Sequence, residues 1–345
     1  MPVQIIKPNC ITLLVTLRCT ATCDNCCFGC NPEQGRSMTF EEMKAYVDMS
    51  LEAYPDSISK LSLTGGECMI LRKDVEKIFA YAKSKGLECV MVSNAFWATD
   101  YDKAYNTLKR LRNKGLTSVS FSTGYDHNKY VPWTNVRNAA VTAARLGIVS
   151  EIRVESQSWY DTTILRSLEA DAEVLELVAQ KKLSITSSPW MKYYNKEQKK
   201  ARNYKITLWE SEKKDPCNYL FQCIIINPYG EVYACCGIGV CHIPQMRLGN
   251  INKEPIKTIY ERSFDDFLKI WLYCNGPQAI LEFVQQKTGQ KFIWHTRHHC
   301  DICRTIFTDK TIIPLLREYF HEVVYPTMMH YDIKATVENE ARSKR

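Results

Sequence analysis

The sequence predicts an α/β chain: a partial (β/α)6 barrel of the TIM-like kind, followed by a smaller C-terminal α+β domain built from a β-hairpin and helices. Three observations predict it. Short apolar segments alternate with stretches of helical periodicity six times between residues 11 and 188, which is the pattern of parallel βαβ units. The later apolar segments alternate with polar residues, so one face of the sheet packs on helices and the other is polar. After about Tyr204 the rhythm changes to a hairpin and then helices. The expected divisions are 1–204 for the barrel, 205–325 for the smaller domain and 326–345 for a C-terminal tail.

Ile11 to Leu17 is the first strand and delivers a cysteine-rich loop at its C-terminal end. Thr39-Phe-Glu-Glu42 is a capping box that opens a helix through Met43, Tyr46 and Val47. Leu61 to Leu63 is the second strand. Asp74 to Lys85 is a helix with Val75, Ile78, Phe79 and Ala82 on one face and Gly86 as its stop. Val90 to Ser93, Ser118 to Ser122, Ser150 to Glu155 and Leu183 to Ser188 are the remaining strands. Helices are expected over Asp100 to Lys114, from Thr134 as cap to Gly147, and over Ser167 to Lys182. In the fourth strand Val119 and Phe121 oppose Ser118, Ser120 and Ser122; in the fifth, Ile152 and Val154 oppose Glu151, Arg153 and Glu155. A barrel with a wet interior, whose strand ends carry the site, accounts for that polarity. Beyond residue 205, Leu220 to Ile226 and Glu231 to Ala234 flank the Asn227-Pro-Tyr-Gly230 turn. Ile251 to Cys274, Pro277 to Lys287 and Pro314 to Val324 read as helices.

Length and composition narrow the class. At 345 residues the chain has room for a large core. Sixteen cysteines in so long a chain, with no cleavable signal at its start, suit a reducing cytoplasm and metal binding rather than disulfides. The run Ile11 to Leu17 is too short to span a membrane, so no membrane partner is expected. The formal charge of +7 is spread thinly. Lys196 to Arg202 and Ala341 to Arg345 are locally basic and read as solvated, and nothing resembles a nucleic-acid module.

The chemistry is carried by Cys19-Thr-Ala-Thr-Cys23-Asp-Asn-Cys26, with Cys27 and Cys30 following. Three thiolates at this spacing wrap one iron–sulfur cubane and leave its fourth iron open to a small molecule. Cys23-x-x-Cys26 and Cys27-x-x-Cys30 are also knuckle-like pairs for zinc. A second group of cysteines lies at 217, 223, 235, 236, 241, 274, 300 and 303. His295, His298 and His299 precede Cys300 and read as a surface loop or as solvation of a metal site. Trp97, Trp133, Trp159 and Trp190 read as core or as the floor of a pocket.

With the three-cysteine loop after the first strand and Thr64-Gly-Gly-Glu67 after the second, the chain resembles the radical S-adenosylmethionine (SAM) enzymes. The resemblance implies that Cys19, Cys23 and Cys26 hold a 4Fe–4S cluster whose open iron takes the methionine part of SAM. It further implies that Gly65, Gly66 and Glu67 support the cofactor's amino group. Ser93, Asn94 and Ser122 resemble ribose-facing positions, and Arg153 a polar group near the cofactor carboxylate, or else an ion pair with Glu151 or Glu155. That family often has an aromatic residue where this chain has Asn25; Phe28 is the substitute expected to pack on the adenine. Cys217, twelve residues, Gly230, four residues, Cys235, with the closing pair Cys300 and Cys303, resembles a Twitch or SPASM auxiliary domain. It implies one auxiliary 4Fe–4S cluster on Cys217, Cys235, Cys300 and Cys303, with Cys223 and Cys236 as competitors and a zinc ribbon as the alternative. Leu248-Gly-Asn250-Ile also fits that domain.

The resemblance implies reductive cleavage of SAM to a 5′-deoxyadenosyl radical, which takes hydrogen from a substrate. A flavodoxin or ferredoxin is the expected electron donor. The expected substrate is a ribosomally synthesised peptide, crosslinked or oxidised, whose acidic leader the mild positive charge would attract. No segment before Cys19 is long enough for a leader-binding winged helix. A small-molecule alcohol dehydrogenase, with Arg153 or a tyrosine assisting deprotonation, is a second reading. Peptide epimerisation is a third, with Cys68, Cys223, Cys236 or Cys241 as hydrogen donor. A zinc-stabilised binding module leaves the Gly-Gly-Glu position and the polar face unexplained.

Overall fold

A computed structural model describes residues 3–33, 35–156, 162–189, 191, 215–292 and 298–343. The chain divides into two compact units: Thr12–Val47 with Ser59–Lys205, and Met1–Ile11 with Asp48–Ile58 and Ile206–Arg345.

The elements wholly or mainly in the first unit are β1 (Cys10–Thr16), α1 (Phe40–Ala53), β2 (Lys60–Gly65), α2 (Arg72–Ser84), β3 (Glu88–Ser93), α3 (Tyr101–Lys114), β4 (Leu116–Gly124), α4 (Trp133–Arg145), β5 (Val149–Ser156), α5 (Thr163–Glu169), α6 (Ala172–Ala179) and β6 (Leu183–Pro189). The strands lie side by side in sequence order from β1 to β6. From β2 onward every neighbouring pair is parallel. A doubly wound sheet reverses its order at a switch point. This one never reverses, which is the order of an open, barrel-type α/β fold.

Local chemistry sets the boundaries. The Thr39 hydroxyl accepts from the Glu42 N–H (3.2 Å) and the Glu42 carboxylate from the Thr39 N–H (2.9 Å), closing the expected capping box. Asp100 caps α3 through the Lys103 N–H and Gly115 ends it. The buried face of α2 is Val75, Ile78, Phe79 and Ala82. Two expectations change. Pro132, not Thr134, stands at the N-cap of α4. The helix expected over residues 167–182 is two helices, because Asp171 accepts from the Glu173 and Val174 N–H groups and starts α6 afresh.

The second unit contains an antiparallel meander, β7 (Leu220–Ile226), β8 (Glu231–Cys235) and β9 (Arg247–Asn250), followed by α7 (Ile256–Glu261), α8 (Phe267–Thr288), α9 (His299–Thr308), α10 (Ile312–Tyr319) and α11 (His321–Ser343). A register irregularity in β7 accompanies Phe221, whose φ is 60°. The Phe221 ring is buried, stacked on Phe264 at 4.4 Å and set edge-on to Tyr273 at 5.2 Å. The helix α8 kinks at Gly276, before Pro277, where the sequence predicts two helices.

The segment read from sequence as a tail is helical through Ser343. Arg342, expected in a solvated basic tail, is 4% exposed. Its guanidinium donates to the carbonyls of Lys7 and Phe221 and, at 2.7 Å and 2.9 Å, to the side chains of Gln222 and Glu338. The Asn339 amide adds a bond to the Ile5 carbonyl (2.9 Å). So the C-terminal helix anchors the N-terminal segment of its own unit. The basic stretch 196–202 lies outside the described residues, as do Trp159, Trp190 and His295. Among the described residues no helix is long and apolar enough to cross a membrane.

Replacing Arg342 with Ala leaves buried carbonyls without donors and is expected to cost about 2–4 kcal/mol. A urea midpoint that stays where the parent protein has it would contradict this placement.

Candidate metal centres

The loop after β1 is held against the end of β2 by backbone alone. The Gly66 N–H donates to the Thr16 carbonyl (2.7 Å) and the Glu67 N–H to the Arg18 carbonyl (2.9 Å). Gly65 has φ +131°, and a Cβ there would overlap the Thr16 oxygen; a Cβ on Gly66 would overlap the Arg18 oxygen. Two glycines are therefore needed for the strand end to approach the residue preceding Cys19.

Glu67 makes this junction rigid. It is fully buried, and its carboxylate accepts from the Met69 N–H (3.0 Å), the Ser93 hydroxyl (2.9 Å) and the Asn94 N–H (2.7 Å). Burial raises its pKa to about 7 against those donors. Ser93, expected beside a ribose, is buried with its hydroxyl on Glu67 and a bond from the Trp97 indole (3.1 Å). Asn94 reaches the cysteines instead: its amide donates to Cys19 Sγ (3.7 Å) and Thr20 Oγ1 (3.0 Å).

Cys19 and Cys23 both lie within electrostatic reach of Cys26. Burial pushes the Cys19 thiol up to about 11 and the Cys23 thiol higher still. Cys26 moves the other way, to about 6, because the buried Cys30 thiol donates to it and its N–H approaches at 3.4 Å. Thiols that burial holds protonated in the free protein become good ligands when a soft metal replaces their protons. The donor set thus fits an iron–sulfur cluster. Cys30, which the family resemblance leaves without a role, is a neighbour of this set.

The sequence does not reveal what tethers the loop. Asp126, buried at the end of β4, accepts from the Asn25 amide (3.0 Å) and from Lys129 (2.6 Å), and Lys129 also reaches Asp24 (3.1 Å). Glu155 on β5 accepts from the Asp126 N–H (2.5 Å) and pairs with His127 (2.8 Å). Asn25 and Asp126 stand 101 residues apart, and no local pattern links them. Arg153 takes the ion-pair arrangement, with Glu151 at 2.8 Å, and its side chain is 62% exposed. Ser122 stands opposite Arg153 in the register and is partly exposed. Glu151 also accepts from Ser120 and Thr186, so the polar face runs across β4, β5 and β6.

In the second unit Cys217, Cys235, Cys300 and Cys303 line one cavity with Leu220, Val240, Ile243, Met246, Leu272 and Pro277. Their thiols are raised chiefly by burial, Cys300 to about 12. Backbone N–H groups oppose that rise: Gly237 at Cys235, Ile238 and Gly239 at Cys300, and Tyr219 and Leu220 at Cys217. A Cβ on Gly237 would lie 2.9 Å from the Cys300 sulfur. Four thiols in an apolar cavity with amide donors aimed at the sulfurs suit a second, fully ligated cluster. His298 caps α9 by accepting the Cys300 N–H (3.2 Å). Cys223 and Cys236 do not line this cavity; their thiols are hydrogen-bonded to each other, with Cys10 near. Cys68 is buried and donates to the Val92 carbonyl (3.2 Å).

Both groups of cysteines fall within regions that match known families. Residues 13–150 match the Radical SAM superfamily and residues 217–305 the SPASM iron–sulfur cluster-binding domain. The chain is 20% identical over 319 residues to YydG of Bacillus subtilis (strain 168), named for a proposed role in peptide biosynthesis, with 90% of this chain and 97% of YydG covered. Among solved structures, methylornithine synthase (PylB) aligns with a TM-score of 0.39 at 16% identity, over 52% of this chain and 53% of that one.

Gly66→Ala forces the Arg18 carbonyl, and with it the cysteine loop, to move. Anaerobically reconstituted Gly66→Ala protein is expected to retain about four irons where the parent retains about eight. Full iron content in the variant would show that the loop does not depend on this contact.

Proposed function

This chain carries a radical SAM domain followed by a SPASM iron–sulfur domain, and on that premise we propose that it cleaves SAM reductively to modify a ribosomally synthesised peptide by crosslinking or oxidation. The observation that carries the chemistry is the three-thiol loop seated on the backbone of Gly65, Gly66 and Glu67. Cys19, Cys23 and Cys26 would hold the first cluster and leave one iron to SAM. The bound cluster and SAM supply an electron and, from it, a carbon radical able to take hydrogen from the substrate. The protein's part is positional: Asn94 donates to the Cys19 sulfur, Glu67 locks the strand ends, and Asp126 with Lys129 fixes the loop through Asp24 and Asn25. Ser122, partly exposed on β4, remains a candidate for contact with the cofactor.

Cys217, Cys235, Cys300 and Cys303 would hold one auxiliary cluster, which would supply a centre for accepting or relaying an electron. A flavodoxin or ferredoxin is the electron donor in this reading. The peptide substrate is supported by the likeness to YydG over nearly its full length. Epimerisation is a second reading, favoured by one observation: the paired thiols of Cys223 and Cys236 stay outside the four-cysteine cavity. A thiol there can return a hydrogen atom to a substrate radical.

Replacing Cys19, Cys23 or Cys26 with Ala is expected to abolish SAM cleavage while the auxiliary iron remains; persistent cleavage would remove the assignment. Anaerobic turnover with peptides encoded beside this chain is read by mass spectrometry. A two-dalton loss supports oxidation or crosslinking, and solvent deuterium at an α-carbon supports epimerisation, which Cys223→Ala should then stop. Peptides left unchanged in mass and free of deuterium would contradict peptide modification.

A further inference from the structure

A half-buried cation of the second unit, Lys334, forms no ion pair among the described residues. Lys334 on α11 is half-buried; its ammonium donates to the Tyr273 carbonyl (3.0 Å) and sits 4.0 Å from the centre of the Tyr273 ring. Among the described residues no carboxylate forms an ion pair with it. Glu338, one turn along, is engaged by Arg342 at 2.9 Å. Asp332, two residues before it, is exposed. Other cations near the four cysteines are balanced: Lys269 by Asp266 and Arg304 by Asp301, each at 2.5 Å. Half-burying an ammonium without an ion-pair partner costs solvation that a nearby anion would offset.

The backbone connects this ammonium to the four-cysteine cavity. The Tyr273 carbonyl that Lys334 holds follows directly on the Leu272 carbonyl, which accepts the Cys217 N–H (3.1 Å). Leu272 and Cys217 both line the four-cysteine cavity. The ammonium therefore stands beside the stretch of backbone that frames the Cys217 end of that cavity. A cubane with four thiolates carries net negative charge that grows by one on reduction. A fixed cation nearby stabilises the reduced form more than the oxidised form.

We propose that Lys334 is the counter-ion of the auxiliary cluster and raises its reduction potential, biasing the cluster toward accepting an electron. This rests on reading Cys217, Cys235, Cys300 and Cys303 as its ligands. Lys334 is a positioning charge rather than a ligand, so its effect is on potential and not on ligand count.

The test uses full-length, anaerobically reconstituted protein in which Cys19, Cys23 and Cys26 are all Ala, so that auxiliary iron alone gives the signal. Its midpoint potential is measured by redox titration followed by electron paramagnetic resonance, with Lys334→Met and Lys334→Arg in that background. Lys334→Met is expected to shift the midpoint to more negative potential, and Lys334→Arg to leave it near the parent value. A Lys334→Met midpoint equal to the parent's, or an Arg variant displaced as far as Met, overturns the proposal. Iron lost from the Met variant but kept by the Arg variant supports it, because charge alone separates the two; iron lost from both overturns it. Absence of cluster iron from the background protein itself would instead overturn the ligand assignment, and with it the role of Lys334.

Discussion

Two backbone hydrogen bonds, from Gly66 to Thr16 and from Glu67 to Arg18, are the constraint on which the first centre depends. They fix the end of β2 to the start of the cysteine loop at a distance that excludes any side chain. Everything around the junction preserves that approach. Glu67 ties it to Ser93 and Asn94, and Asn94 carries the connection on to the sulfur of Cys19. A loop that must hold a cluster with one open iron cannot rely on a fourth ligand for rigidity. Here the rigidity comes from a buried carboxylate on one side and the Asp126 tether on the other.

The second centre solves a different problem. Four thiols line one cavity, and in the proposed reading they would complete the ligation of a cluster and leave the surroundings to set its charge. Amide N–H groups from residues 237 to 239 point at sulfur, the walls are apolar, and the Lys334 ammonium holds the carbonyl next to the wall residue Leu272. Such surroundings govern the potential of a cluster whose ligands are already complete.

Much of this was legible in the sequence, for identifiable reasons. Strands and helices of the first unit follow local rules: the Thr39 capping box and the apolar face of α2 formed as read. The four cysteines brought to one cavity, spread from 217 to 303, were those implied by the resemblance to an auxiliary cluster domain. What escaped was non-local. Arg342 looked like part of a solvated basic tail, yet it is buried against carbonyls more than a hundred residues away. Asn25 looked like a departure from a pattern, and only the fold supplies Asp126 as its partner. Ser93 looked available to a cofactor, but its hydroxyl is committed to Glu67. The break at Asp171 was missed because continuous apolar periodicity outweighed a single capping residue.

The central claim is that one centre offers an open iron to SAM and the other does not. Electron paramagnetic resonance of the reduced protein, recorded with and without SAM, tests it most directly. The account predicts that SAM changes the signal of the Cys19, Cys23 and Cys26 centre and leaves the auxiliary signal as it was. A spectrum in which SAM alters neither signal, or alters the auxiliary one, would contradict it.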